Sequence, residues 1–168
     1  MNQHLEKLIT RVGKLTPTVG DALNPLSNAD ADAIEARLGQ PLDSVHGELL
    51  TLFGASAFED DVVFTPEVPF PKSYSKSNTG IVGSFLGKLN EKYPRARKIC
   101  ILNMLDILDD ELPTDFVPVA DVGSGDLYGI RRDGSVWLWI HDARKGKEFQ
   151  AVCSSFPAWL DLLQRKKA

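Results

Sequence analysis

The spacing of apolar residues along the chain predicts an isolated first helix. The apolar positions from residue 4 to residue 13 follow the i, i+3, i+4, i+7 pattern of one helix face; they are Leu5, Leu8, Ile9 and Val12. Residues 16–25 contain two prolines and a glycine and predict a loop. We therefore expect residues 1–25 to be an appended helix and loop, ahead of a main domain over residues 26–168.

Two helices are predicted at the start of that domain. Ser27 or Asn28 is a good N-cap for the first, and Gly39 is placed to end it. Pro41 suits the first turn of the second helix, and Gly54 is placed to be the C-cap of that helix. Its apolar positions are three and four residues apart, at Leu42, Val45, Leu49 and Phe53.

The middle of the chain is less regular. Residues 58–65 predict a strand, and residues 66–80, with three prolines, predict a long surface loop of the kind that is often functional. Residues 80–90 fit either a helix or a short strand that ends at Gly87. Residues 96–109 are rich in leucine and isoleucine and predict a buried helix.

The last third has the pattern of a β-meander followed by a helix. Asp133-Gly134 lies between two strand-like runs and is a strong hairpin signal. Ser154 or Ser155 can cap a final helix, whose negative end suits the basic tail Arg165–Lys167. The strands of the meander are predicted at residues 116–120, 126–131, 136–140 and 148–153. Strands grouped between helices predict an α+β single domain with a central, mostly antiparallel sheet flanked by helices.

Composition agrees with one globular domain. The chain has 168 residues, of which 43% are hydrophobic and 25% charged, and this excludes a disordered chain and a disulfide scaffold. The formal charge of −4 argues against direct binding of nucleic acid. That charge is uneven: residues 1–84 carry −5, with 6 basic and 11 acidic side chains, whereas residues 85–168 carry +1.

The cellular location is predicted from the absence of a signal peptide and of a membrane-spanning run among these residues. The first residues have neither the basic start nor the apolar centre of a signal peptide, and no apolar run reaches the ~20 residues that cross a bilayer. Cys100 and Cys153 have apolar neighbours, which predicts buried free thiols. We expect a cytoplasmic protein without membrane contact.

Candidate chemistry is sparse. The histidines His4, His46 and His141 have no second ligand at metal-binding spacing, and surface or boundary positions are expected for them. His141 beside Asp142 could be an oriented general base, although a solvated strand end is the simpler interpretation. The glycine-rich turn 123–126 precedes a strand, not the helix that a phosphate loop requires. We predict no catalytic residue, no metal and no cofactor.

Two acidic runs are the candidate partner-binding residues. The first is Glu59, Asp60 and Asp61, and the second is Asp109, Asp110 and Glu111. Such runs are commonly solvated surfaces, and the alternative is contact with a basic protein.

The order of motifs resembles the SUKH superfamily of SMI1/KNR4-like domains. Residues 34–54 are similar to its opening pair of helices, and residues 58–66 and 80–87 are similar to a strand and a later segment of its bacterial variants. The strongest likeness is a run of four motifs in order, namely Phe116–Ala120, Gly125–Tyr128, Gly134–Asp142 and Ser155–Leu160. Within these motifs the recurring positions are Gly125, Asp126, Gly134, Trp139 and Phe156, which the resemblance implies are structural.

The resemblance implies an α+β fold and a binding function. In bacteria such proteins are similar to cytoplasmic immunity proteins, so the resemblance implies a non-enzymatic chain that neutralises a cognate toxin, for example a basic nuclease, by stoichiometric binding. A monomer or weak dimer is expected. The alternative is a regulatory scaffold that binds a cellular signalling partner, as in the fungal members, and a less favoured one is a hydrolase that uses His141 and Asp142.

Overall fold

The computed structural model describes all 168 residues and contains five α-helices and eight β-strands. The helices are α1 (Gln3–Val12), α2 (Asn28–Leu38), α3 (Ser44–Phe53), α4 (Ile101–Ile107) and α5 (Phe156–Leu162). The strands are β1 (Leu15–Pro17), β2 (Ser56–Phe64), β3 (Gly80–Phe85), β4 (Val117–Asp121), β5 (Leu127–Ile130), β6 (Val136–Trp139), β7 (Phe149–Cys153) and β8 (Gln164–Arg165).

All the strands belong to one antiparallel sheet. Its order from β1 to β7 follows the chain, and β8 pairs with β2 outside that path. The expected α+β fold with a central antiparallel sheet is therefore confirmed. The β5–β6 hairpin turns at Gly134, whose φ of +86° is a backbone conformation that favours glycine.

Local capping explains where α2 begins and ends. The Ser27 hydroxyl accepts a hydrogen bond from the Asp30 amide, and the Asp30 carboxylate accepts one from the Ser27 amide at 2.7 Å. That bond and a contact with Lys88 lower the pKa of Asp30 to about 2. Gly39 ends α2 in the left-handed region, as predicted.

Three element boundaries differ from the prediction. Pro41 lies before α3, because Asp43 is the N-cap that accepts hydrogen bonds from the first-turn amides. The long helix expected over residues 96–109 is broken at Cys100, whose backbone is extended, so that only Ile101–Ile107 are α-helical. Of the two alternatives for residues 80–90, the strand is found, and it ends at Phe85.

Part of the first 25 residues packs into the common core, where an appended helix and loop was expected. Leu5, Leu8 and Val12 of α1 are fully buried. Leu15 begins β1, a strand within the predicted loop, and pairs with Phe58. Whether residue 25 is a domain boundary stays a prediction.

The core centres on aromatic rings between the sheet and α5. Trp159 contacts Phe64, Tyr128 and Phe156, with ring centroids 5.1–5.9 Å apart. Cys100 and Cys153 are buried and free, as predicted. None of the helices has the length and apolar character needed to span a bilayer.

The basic tail after α5 does not cap that helix, contrary to the expectation. The last carbonyls of α5 accept hydrogen bonds from Arg11 of α1 instead, at 2.6 Å to Leu160 and 3.1 Å to Leu163. The tail leaves the helix axis and runs along β2 as β8, because Leu163 is extended and fully buried.

Candidate interaction surface

The acidic run Glu59–Asp61 forms a bulge in β2. Ala57 lies opposite Ser84 and Val62 lies opposite Val82, so four residues of β2 face Gly83 alone. The three acidic residues are exposed. We call residues 59–61 the acidic bulge.

The acidic bulge is ion-paired with the basic tail of the same chain. Arg165 Nη1 lies 3.3 Å from Asp60 Oδ2, and Lys166 Nζ lies 3.8 Å from Asp61 Oδ2. The Lys166 amide also donates a hydrogen bond to the Asp61 carbonyl at 2.8 Å. The carboxylates that were expected to be free for a partner therefore already have cationic neighbours.

An apolar groove of about 500 Å³ adjoins the acidic bulge on the outer face of the sheet. Val63 and Ile81 are cross-strand neighbours there, and half of the Ile81 surface is exposed. Val122 and Tyr74 line the groove, with Tyr74 coming from the long loop 66–80. We call this feature the outer groove; Lys166 lines both this groove and the depression beside the acidic bulge.

The second acidic run lies elsewhere, after α4. Arg37 of α2 contacts Asp109 at 3.0 Å and Asp106 at 3.3 Å. The hydrogen bond that Arg37 donates to Asp109 is the main reason why the pKa of Arg37 is raised. No ion pair or hydrogen bond joins Asp109, Asp110 or Glu111 to the acidic bulge, so the structure does not bring the two runs together.

Asp126 organises the turns next to the outer groove. Its buried carboxylate accepts hydrogen bonds from the His141 amide at 3.1 Å and the Tyr74 hydroxyl at 3.2 Å, and it lies 2.8 Å from His141 Nδ1. It thereby fixes loop 66–80 to the ends of β5 and β6. Gly125 lies under the His141 ring, where a Cβ atom would be 3.2 Å from it.

The orienting partner of His141 is Asp126, and not the adjacent Asp142. The hydrogen bond to Asp126 raises the pKa of the exposed imidazole. One ligand atom each from Asp126, His141 and Asp142 lie within 4.8 Å of one another, so these three side chains are the group that could hold a cation. Because Asp126 already accepts several hydrogen bonds, we interpret the cluster as a structural connection.

Of the other recurring positions of the resemblance, two are buried and one lies at a turn. Trp139 and Phe156 are buried, and Gly134 forms the hairpin turn. Phe156 packs edge-on against His46, with ring centroids 5.3 Å apart.

The surface position expected for His46 is wrong. The core-facing side of α3 carries this ring with Val45 and Leu49, and burial lowers its pKa to about 3. Neither ring nitrogen has a hydrogen-bond partner within the chain. His4, by contrast, is partly exposed and lies 2.9 Å from Asp161.

Sequence reasoning missed β8 and the outer groove. A two-residue strand has no periodicity to detect, and the groove unites residues more than 100 positions apart. The only available signal was the opposite charge of the acidic run and the basic tail.

A known family model matches most of the chain. The family model described as "SMI1 / KNR4 family (SUKH-1)" matches residues 25–162. No curated protein matches the chain.

Proposed function

Because the chain belongs to the SMI1/KNR4 family (SUKH-1), which is associated with immunity proteins and protein–protein interaction, we propose that it is a non-enzymatic immunity protein. It binds a cognate bacterial toxin in the cytoplasm and neutralises it by forming a stoichiometric complex. A basic nuclease is the toxin class that suits the acidic first half of the chain.

The observation that supports this proposal is the outer groove beside the acidic bulge. A stable protein contact needs apolar anchors surrounded by polar groups. Ile81 is 51% exposed and faces solvent next to Val63, and the acidic bulge supplies polar groups at the rim. This arrangement favours the acidic bulge over the second run, Asp109–Glu111, as the contact site.

The proposal is tested by searching the neighbouring genes for a toxin domain and co-expressing that domain with the chain. The wild-type chain is expected to restore growth and to co-purify with the toxin in a fixed ratio. Ile81→Asp is expected to weaken toxin binding at least tenfold, because it places a charge in the apolar contact.

The chain offers a matched control. Ile107 on α4 is 61% exposed and lies beside the second acidic run. Ile107→Asp is expected to leave binding unchanged. Loss of binding with Ile107→Asp alone would place the contact at the second run, and no protection by the wild-type chain would refute the immunity function and favour a regulatory partner.

A further inference from the structure

The free edge of β2 is covered by two separate pieces of chain. β1 pairs with its first residues, Ser56–Phe58, and β8 pairs with Val62 and Val63. The acidic bulge lies between them. An exposed strand edge offers unpaired amides and carbonyls to any extended segment, and proteins commonly cover such edges.

The β8 cover is short and exposed. Its two residues are both exposed, and they make register pairs only with Val62 and Val63. The ion pairs that accompany it are also open to solvent: Arg165 and Asp60 are each about half exposed, and Lys166 and Asp61 more so. Exposed ion pairs of this kind contribute little to stability, so β8 can leave the edge while the core stays folded.

The two faces of β8 differ in what they contact. Arg165 lies opposite Val62 and reaches the helix side, where its Nε donates to the Val12 carbonyl at 3.1 Å. Gln164 lies opposite Val63, and Lys166 borders the outer groove. Since side chains alternate along a strand, an occupant with a basic residue on the helix side and apolar residues on the outer side fits this edge better than β8 does.

We infer that β8 is displaced when the partner binds: an extended, basic segment of the toxin pairs with β2 in its place and adds a strand to the sheet. The seated tail indicates which chemistry this edge accepts, an extended backbone with a cation on the helix side beside Asp60. The apolar side chains of the toxin segment enter the outer groove beside Ile81. This inference rests on the proposed function, because it specifies how the toxin is held.

A reversible disulfide between β8 and β2 tests this inference. Val63 and Gln164 are directly opposite in the antiparallel register, so Val63→Cys with Gln164→Cys places two thiols in position for a cross-strand disulfide. Oxidation holds β8 on the edge and reduction frees it in the same polypeptide. Thr16→Cys with Ala57→Cys is the matched control, because it locks β1 to β2 and leaves β8 free.

The probe is a blocked hexapeptide of alternating valine and lysine, with alternating valine and glutamate as its comparison. Binding is followed by the backbone amide resonances of Asp61, Val62 and Val63 in isotope-labelled protein. The lysine peptide is expected to shift these resonances in the reduced protein and in both states of the control. Oxidised Val63→Cys with Gln164→Cys is expected to bind it at least tenfold more weakly, and the glutamate peptide is expected not to bind.

Any of four results would overturn the inference. Two concern the lock: equal binding by the oxidised and reduced forms, or no binding by the reduced protein. The other two are resonance shifts confined to other strands and equal binding of the glutamate peptide. These outcomes involve no toxin. They are therefore distinct from failure of the immunity function, which appears as absence of protection by the wild-type chain in co-expression.

Discussion

The N-terminal helix can be tested as part of the cooperative core by one substitution, Leu8→Ala. Leu8 is fully buried, and α1 packs against α3 and α5. Replacing a buried leucine by alanine costs roughly 2–5 kcal/mol through lost transfer free energy and the cavity that remains. We expect about 3 kcal/mol, since α3 and α5 pack against α1 and limit the collapse of the site.

That free energy converts to a measurable melting shift. For a chain of this length, 1 kcal/mol lowers Tm by roughly 2–4 °C, so Leu8→Ala is expected to lower Tm by about 6–12 °C. Leu52→Ala is the matched control, because Leu52 is 41% exposed on α3 and its truncation removes less buried area. We expect a loss below about 1 kcal/mol for that variant.

The assay is thermal and urea unfolding followed by circular dichroism. Equal Tm losses for Leu8→Ala and Leu52→Ala would refute the reasoning and would restore residues 1–25 as an appendage. Polar contacts also join α1 to α5 and to the tail. Arg11 of α1 donates to the Leu160 carbonyl of α5 at 2.6 Å, and Arg165 after α5 donates to the Val12 carbonyl of α1 at 3.1 Å.

Four further predictions follow. The pKa of His46 is about 3 in the folded chain and about 6.5 in the unfolded chain. The stability that this group contributes is therefore full above pH 6.5 and falls towards pH 3, because the unfolded chain takes up the proton first. Urea unfolding is expected to show about 2 kcal/mol less stability at pH 5 than at pH 7 from this group, and His46→Leu is expected to remove that pH dependence. Asp126→Asn is expected to lower the pKa of His141, as followed by NMR titration, because the hydrogen bond that the imidazole makes to the Asp126 carboxylate raises it. Ser27→Ala removes the α2 cap and is expected to cost about 0.5–2 kcal/mol in urea unfolding. Gly87→Ala is expected to lower Tm substantially, because a Cβ atom there would collide with the backbone of Gly54 and Ala55.

Short-range signals made much of the fold predictable. The Ser27 cap, the Gly39 stop and the Asp133-Gly134 turn each depend on residues within a few positions of one another, and each lies where the sequence indicates. The β-meander was recognisable for the same reason, since every strand pairs with its neighbour in the chain. Such local pairing is decided by alternation and turn chemistry alone.

The errors share a different cause. Residues 96–109 have the composition of one helix, yet Gly87 pairs with Cys100 in a parallel bridge and extends the backbone there. Tertiary contact thus overrides helix propensity. β1 lies in a segment interrupted by prolines, and only its register with Ser56–Phe58 makes it a strand.

The candidate site was less predictable than the fold because it is built from distant residues. The acidic bulge is recognisable as a charged run, but its pairing with the basic tail spans about a hundred positions. His141 was noticed beside Asp142, whereas the carboxylate that orients it is Asp126, fifteen residues earlier. A sequence pattern reveals residues that are neighbours along the chain, but it does not reveal residues that the sheet brings together.

The structure also changes the physical meaning of the acidic first half. Asp30 is paired with Lys88, Asp60 with Arg165 and Asp61 with Lys166, so much of the −5 of residues 1–84 faces cations from the second half. A basic partner that displaces the tail exchanges one set of exposed ion pairs for another, and each set is screened by salt to a similar extent. The net electrostatic gain is therefore small, and affinity has to come from backbone pairing along β2 and from apolar contact in the outer groove. In the proposed complex, charge at this edge would select which segment approaches, and contact with Val63 and Ile81 would set how long that segment stays bound.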